Sequence, residues 1–384
     1  MSAKKLFTPV TLGGKKLKNR LAMAPMTRNR AHNKANAPTE LHQKYYAQRA
    51  SAGLIISEGS QVSQQAMGYI DTAGIHNDEQ IHGWEKVLNK VHEKDGVMYC
   101  QLWHVGRVSH TSFHDGKPPV SSTDKNAGGQ VFTADGFTST STPRALKTEE
   151  IPEVIADFRK AARNAITAGF DGIQIHGANG YLVEQFLHDS INDRDDRYGG
   201  SIENRARFLF EVVDAIVDEI GADRTALRLS PSNLMNTDND SRSKELYEYV
   251  IRKLSDDYDL TFLELVEPLA DLSEQPHLAK NVIEYYGPFY EGILMTNGRY
   301  DREEAIAVVE EGKADMVSFA REFLANPDLP ERFRRNAPLN EPDRSTFYGG
   351  DAKGYTDYPF LEDGNGSEQK DSDADIEDEA VTTE

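Results

Sequence analysis

Four short stretches of this chain carry side chains that could do chemistry. The run from His176 through Asn179 to Tyr181 sets two hydrogen-bond donors three residues apart, with a phenol just beyond. Donors at that spacing can face one ligand atom. Each also has a plainer use, since a histidine at a strand end or a tyrosine after an asparagine often serves packing alone. Arg228 sits inside the apolar run Ala226 to Leu229. A guanidinium turned inward there needs a partner to offset its desolvation. Glu58 or Glu264 could be that partner, and so could a cofactor that becomes anionic. Asn297-Gly298-Arg299 and Ala320-Arg321 place a cation beside small residues, a setting in which backbone amides and a following helix N-terminus can approach an anion. The alternative for Arg321 is a surface pair with Glu322.

These stretches fall at one kind of place. Apolar runs at 20–25, 53–58, 97–103, 171–176, 225–230, 260–266, 291–296 and 314–319 alternate with helical periodicity at 39–51, 78–94, 151–168, 203–220, 243–255 and 301–311. Strand alternating with helix predicts a parallel sheet, and eight such units predict an α/β fold closed as a (β/α)8 TIM barrel. Chemistry in that architecture gathers at the C-terminal ends of the strands. Pro25, Thr27, Gln101, Trp103, His176, Asn179, Tyr181, Gly298 and Ala320 all lie there, with Arg228 inside the fifth strand. The stretch Leu6 to Leu17, turning at Gly13-Gly14, predicts an N-terminal β-hairpin plug under the barrel. The longest connection, 104–150, follows the third strand and predicts a lid loop or hairpin on the catalytic face.

The 384 residues include 43 basic and 63 acidic side chains, for a net charge of -20, and one cysteine. A lone cysteine makes neither an internal disulfide nor a thiolate metal centre, which points to a reducing, cytoplasmic setting. Cys100 is expected to face away from the barrel lumen as a small buried hydrophobe. The acidity repels phosphates, so neither nucleic acid nor an anionic membrane is an expected partner. No run approaches the roughly 18 apolar residues of a membrane span. Residues 362–384 hold ten acidic side chains, one basic one and almost nothing apolar. They read as an acidic, disordered tail behind one domain, 1–361. The remaining acidity is that of a solvated surface or of adaptation to high salt. His104, His110 and His114 cluster near the long loop without an HExxH pair, and no metal is expected.

Several longer segments resemble a known family. They are Lys5 to Pro9 (KLFTP), Ala24 to Arg28 (APMTR), Gln101 to Arg107 (QLWHVGR), His176 to Leu187 (HGANGYLVEQFL), Asp196 to Phe208 (DRYGGSIENRARF), Ala325 to Leu329 (ANPDL) and Phe347 to Gly350 (FYGG). In order and content they resemble the Old Yellow Enzyme family of FMN-dependent ene-reductases. The resemblance runs from about residue 5 to 360. It implies tightly bound, non-covalent FMN, with Pro25, Thr27, Gly59, Gln101 and Arg228 at the isoalloxazine ring and Gly298, Arg299, Ala320 and Arg321 at the phosphate. It further implies that His176 and Asn179 donate to the substrate carbonyl, that Tyr181 is the proton donor, and that Tyr69, Trp103 and Tyr348 line the substrate space. Thr27 stands where one branch of the family carries cysteine, and Ala320 stands where glycine is frequent. The lid at 104–150 and the segment 267–276 follow no family pattern.

The implied activity is reduction of the activated C=C bond of α,β-unsaturated carbonyl compounds, with nitro compounds and maleimides as further acceptors. NADPH or NADH would be the co-substrate. No GxGxxG motif follows a strand, so nicotinamide and alkene are expected to share one pocket in a ping-pong cycle, in a monomer or homodimer. Read without the resemblance, the residues also admit a phosphate-binding isomerase or aldolase with Glu58 or Glu264 as its base. A flavin-binding protein without turnover is a further alternative.

Overall fold

A computed structural model describes residues 4–361 of the chain. The predicted tail at 362–384 lies outside the described residues. Eight strands form the barrel wall: Leu21–Met23, Leu54–Ile56, Met98–Trp103, Gly172–Gly177, Thr225–Leu229, Phe262–Val266, Leu294–Asn297 and Met316–Phe319. Every neighbouring pair is parallel, and the eighth strand returns to the first with Val317 opposite Leu21, closing the ring. A short piece, Ser60–Gln61, follows the second strand and pairs with the end of the third.

Side-chain alternation along the strands separates two apolar layers. Outward-facing Ile55, Cys100, Leu102, Ile173, Leu227, Leu263 and Val317 pack with the helices in the outer core. Inward-facing Leu54, Ile56, Tyr99, Ala226, Phe262, Met295 and Met316 fill the lower lumen. Cys100 therefore sits where alternation placed it. The hairpin Val10–Leu12/Lys15–Leu17 inserts Leu12 and Leu17 into that lower layer and closes the barrel floor. Its turn residue Gly13 has φ +51°, and a Cβ there would lie 2.2 Å from the Asp223 carbonyl oxygen. Only glycine fits both the backbone angle and the space.

Helices Glu40–Gln48, Asp78–His92, Ile151–Ala168, Ile202–Ile220, Ser243–Asp257 and Arg302–Glu310 stand close to their predicted limits. Local chemistry sets those ends. Asn77 accepts the Gln80 N–H while the Gln80 side chain reaches back, a reciprocal cap that starts the second of these helices. Four further helices, Leu182–Leu187, Val282–Tyr286, Arg321–Ala325 and Leu329–Arg335, were not foreseen. Each has seven residues or fewer, too few for a helical period to register in sequence.

The 104–150 connection is a tethered lid. Its tip is the hairpin Gln130–Thr133/Gly136–Ser139, and its base is held by parallel pairing of Val120–Ser121 with Arg144–Ala145. The hairpin docks through the Ile70 N–H, which donates to the Phe132 carbonyl at 2.9 Å.

The run at 196–208 also finds a structural use. Arg205 and Asp240 are both buried and pair at 2.7 Å. The Arg205 guanidinium donates as well to the carbonyls of Leu187 and Gly200. It thereby ties the loop after the fourth strand to the loop after the fifth. Removing one member of a buried pair leaves an uncompensated charge, at a cost of about 3–5 kcal/mol. Arg205→Ala should therefore shift the denaturant midpoint far more than Arg163→Ala, whose partner Glu219 is on the surface. Equal midpoints for the two variants would show that the Arg205 tie contributes no stability.

Candidate active site at the barrel mouth

The upper lumen is polar where the lower lumen is apolar. Glu264, in the sixth strand, is fully buried and accepts from Arg228 Nη1 at 2.9 Å, from Gln174 Nε2 at 2.7 Å and from the Ser318 hydroxyl. Gln101 Nε2 extends the network by donating to Gln174 Oε1 at 2.9 Å. Arg228 Nη2 donates to Asn297 Oδ1 at 2.8 Å, and Asn297 Nδ2 donates to the Ser318 carbonyl. Of the two acids nominated as partners for Arg228, Glu264 takes the place. Glu58 lies elsewhere, buried beside His42 and the Tyr46 hydroxyl. One face of the guanidinium is thus neutralised, while Arg228 Nε is buried with no protein partner.

Above this floor, Pro25, Thr27, Gly59, Gln101, Trp103, His176, Asn179, Tyr181 and Arg228 line one cavity of about 110 Å³. The His176 Nδ1 and Trp103 Nε1 atoms are also buried without partners, an arrangement costly unless a ligand supplies the missing bonds. Trp103 stacks on Tyr69 with centroids 5.5 Å apart and meets Tyr181 edge-on at 5.0 Å. The Tyr69 and Tyr181 hydroxyls lie 3.2 Å apart. Tyr348 stands at the rim, 53% exposed, in the neighbourhood of Tyr69 and Tyr181. Gly59 has a clear steric reason: a Cβ there would fall 2.6 Å from the Trp103 ring.

Burial sets the protonation states. It holds His176 well below the ordinary imidazole value, and the neighbouring Arg228 charge adds to the effect. Tyr181 is pushed well above the ordinary phenol value by burial and by Tyr69. The mouth therefore offers a neutral imidazole and a protonated phenol at physiological pH.

A second, larger cavity of about 610 Å³ opens at the ends of the seventh and eighth strands, lined by Asn297, Gly298, Arg299, Ala320 and Arg321 among others. Arg228 and Asn297, bonded to each other, join the two spaces. Among the described residues, neither Arg299 nor Arg321 has a carboxylate within ion-pair distance, so the alternative Arg321–Glu322 pair is not formed. Two guanidiniums without a carboxylate partner could receive an anion at this end. Gly298 has a steric reason of its own, because a Cβ there would meet the Glu267 side chain at 2.9 Å. Together the cavities could hold a flat polar group at the mouth with an anionic tail toward Arg299 and Arg321.

All the sequence-predicted site residues thus fall on these two neighbouring spaces or their rim. Sequence reasoning missed Gln174, which strand alternation with His176 would have turned inward, and Glu184, for which no local signal exists. His104 Nδ1 accepts the Gly106 N–H, His114 contacts Ser109, and His110 contacts Ser112. Among the described residues no group of His, Cys, Asp or Glu is placed to hold a metal ion. None of the described helices is long and apolar enough to cross a membrane.

Residues 5–340 match the profile of the NADH:flavin oxidoreductase / NADH oxidase family. The chain is 47% identical to 12-oxophytodienoate reductase 1 of Oryza sativa subsp. japonica over 362 residues, 93% of each protein. It superposes on morphinone reductase in complex with tetrahydroNAD with a TM-score of 0.86 and 46% identity, covering 94% of this chain and 98% of that one. The old yellow enzyme homologue from Zymomonas mobilis gives 0.89 and 41%, covering 93% and 100%. With eight parallel strands around this mouth and a match across most of its length, the chain belongs to the NADH:flavin oxidoreductase family, the FMN-dependent oxidoreductases of Old Yellow Enzyme type.

Proposed function

We propose that this protein is an ene-reductase that saturates the activated double bond of α,β-unsaturated carbonyl compounds, using NADPH or NADH. The observation that carries this reading is the convergence of buried, unpartnered polar atoms with a protonated phenol on one small cavity. His176 Nδ1, Arg228 Nε and Trp103 Nε1 have no protein partners there. The names of the relatives agree, for 12-oxophytodienoate and morphinone are both oxo compounds.

The residues present fit FMN. Pro25, Thr27, Gly59, Gln101 and Arg228 would hold its ring at the mouth, with Gly298, Arg299, Ala320 and Arg321 at its phosphate. Bound there, FMN supplies hydride chemistry, accepting from a nicotinamide and delivering to an alkene. Arg228 offers a cation whose Glu264 pairing leaves Nε free, suited to an electron-rich ring edge. No second nucleotide site is needed if nicotinamide and alkene use the mouth in turn.

Hydride addition to an enone moves negative charge onto its carbonyl oxygen. His176 and Asn179, fixed donors at that oxygen, bind it more tightly as the charge grows, at about 3–4 kcal/mol per donor. A neutral His176 can donate one N–H without itself becoming an acid. The α-carbon then takes a proton from the Tyr181 hydroxyl, which burial keeps protonated. Trp103, Tyr69 and Tyr348 frame the space around the alkene. An isomerase or aldolase base is poorly served, because Glu264 is already saturated by three donors and Glu58 does not line the mouth.

Five outcomes test the reading. Purified protein should absorb near about 450 nm as any oxidised flavin does, bleach with a nicotinamide, and recover its colour with 2-cyclohexenone. The double variant His176→Ala/Asn179→Ala should keep flavin yet recover at least about 10³-fold more slowly; unchanged recovery in stopped flow would remove both residues from the donor role. Tyr181→Phe should slow proton delivery by about 10²-fold with acceptors that water cannot serve. Wild-type recovery should be level from about pH 8 to 9, where neither the lowered His176 nor the raised Tyr181 titrates; a slope there would contradict their protonation states. Finally, Arg321→Ala should lose flavin on dialysis, and full retention would place the anionic tail elsewhere.

A further inference from the structure

Beneath the turn that carries Asn179 and Tyr181 lies a carboxylate that lines neither cavity. Glu184, in the short helix Leu182–Leu187, is fully buried. One of its oxygens accepts the Gly180 N–H. The other accepts from the Ser230 hydroxyl at 2.7 Å and the Tyr247 hydroxyl at 2.9 Å. Ser230 in turn accepts the Asn179 N–H at 2.8 Å. Two consecutive backbone N–H groups of the turn therefore end, directly or through one hydroxyl, on a single carboxylate.

The turn needs such a clamp. Asn179 and Gly180 both have left-handed backbones, with φ of 59° and 75°, a conformation that a non-glycine residue holds only when its surroundings enforce it. Ser230 directly follows the fifth strand, which carries Arg228. Glu184 thus fixes the turn to the strand whose arginine shares the mouth. Its neighbour His188, at 3.8 Å, is held neutral by burial, its value down to about 3. Among the described residues no Lys or Arg pairs with Glu184, so hydrogen bonds alone satisfy it. Burial pushes this carboxyl up to about 7, against the pull of Ser230, Gly180 and Tyr247.

We propose that Glu184 is a positioning residue for the reaction: by gripping Gly180 directly and Asn179 through Ser230, it sets where the Asn179 donor and the Tyr181 hydroxyl meet the ligand. This rests on the roles proposed above for Asn179 and Tyr181. A misplacement of about 1 Å at a reacting centre can cost on the order of a hundredfold in rate.

The test is a double-mutant cycle on flavin-loaded protein. Stopped flow would follow recovery with 2-cyclohexenone for wild type, Glu184→Ala, Asn179→Ala and the double variant, with flavin absorbance as the check that the mouth is intact. Glu184→Ala should slow recovery by on the order of a hundredfold, mainly in kcat and little in KM. Glu184→Gln keeps an oxygen for Ser230 and Tyr247 but turns an amide donor toward the Gly180 N–H, and should lose about tenfold. In the Asn179→Ala background most of the Glu184→Ala effect should vanish. Wild-type rates in Glu184→Ala, or full losses that multiply in the double variant, would overturn the proposal. If Glu184→Ala fails to retain flavin, Glu184→Gln carries the same cycle. An unimpaired Asn179→Ala protein would take the inference down together with the donor assignment, whereas an impaired Asn179→Ala beside an unimpaired Glu184→Ala defeats the positioning role alone.

Discussion

The upper half of the barrel depends on neutralising one buried charge. Arg228 is turned into the lumen by the alternation of its strand, and a lone guanidinium there would be prohibitively costly. Glu264, directly opposite on the neighbouring strand, removes most of that cost and gathers Gln174, Ser318 and, through Gln174, Gln101 into the same network. The pair spans three strands with Asn297. It therefore fixes the heights of strands four to eight relative to one another at the level where the mouth begins. Below that level shape is set by apolar packing, and above it by hydrogen bonds.

The same burial acts on two residue types in opposite senses. Desolvation disfavours the charged form of any group, so it lowers the histidine and raises the tyrosine. At the mouth both shifts favour the neutral, proton-bearing form. No special partner is needed to prepare either residue, because a dry pocket suffices. The tight fit of Trp103 over Gly59 and against Tyr69 supplies part of that dryness.

The parts of the fold that repeat were legible in the sequence. All eight barrel strands and six of the helices could be read from periodicity, and the inward or outward facing of Cys100 and Gln101 followed from alternation. The family resemblance then carried the site residues, and each lies on the two neighbouring cavities or their rim. What stayed hidden was set by contacts distant in sequence. Glu184 reads as the polar face of a six-residue helix, and only Ser230 and Tyr247, 46 and 63 residues away, turn it into a buried clamp. A second constraint on Gly298 stayed hidden for the same cause: the Glu267 side chain, contributed by the preceding strand-to-helix loop, leaves no room for a Cβ. The short helices after the sixth and eighth strands escaped because a single turn or two shows no period.

The hairpin floor has a consequence for traffic. With Leu12 and Leu17 seated among the lower lumen side chains, the barrel is a cul-de-sac. Whatever visits the mouth must back out by its own route of entry before the next visitor arrives. On the proposed reading that nicotinamide and alkene share this mouth, crowding by either would block the doorway for the other, and throughput would fall at high concentration of each.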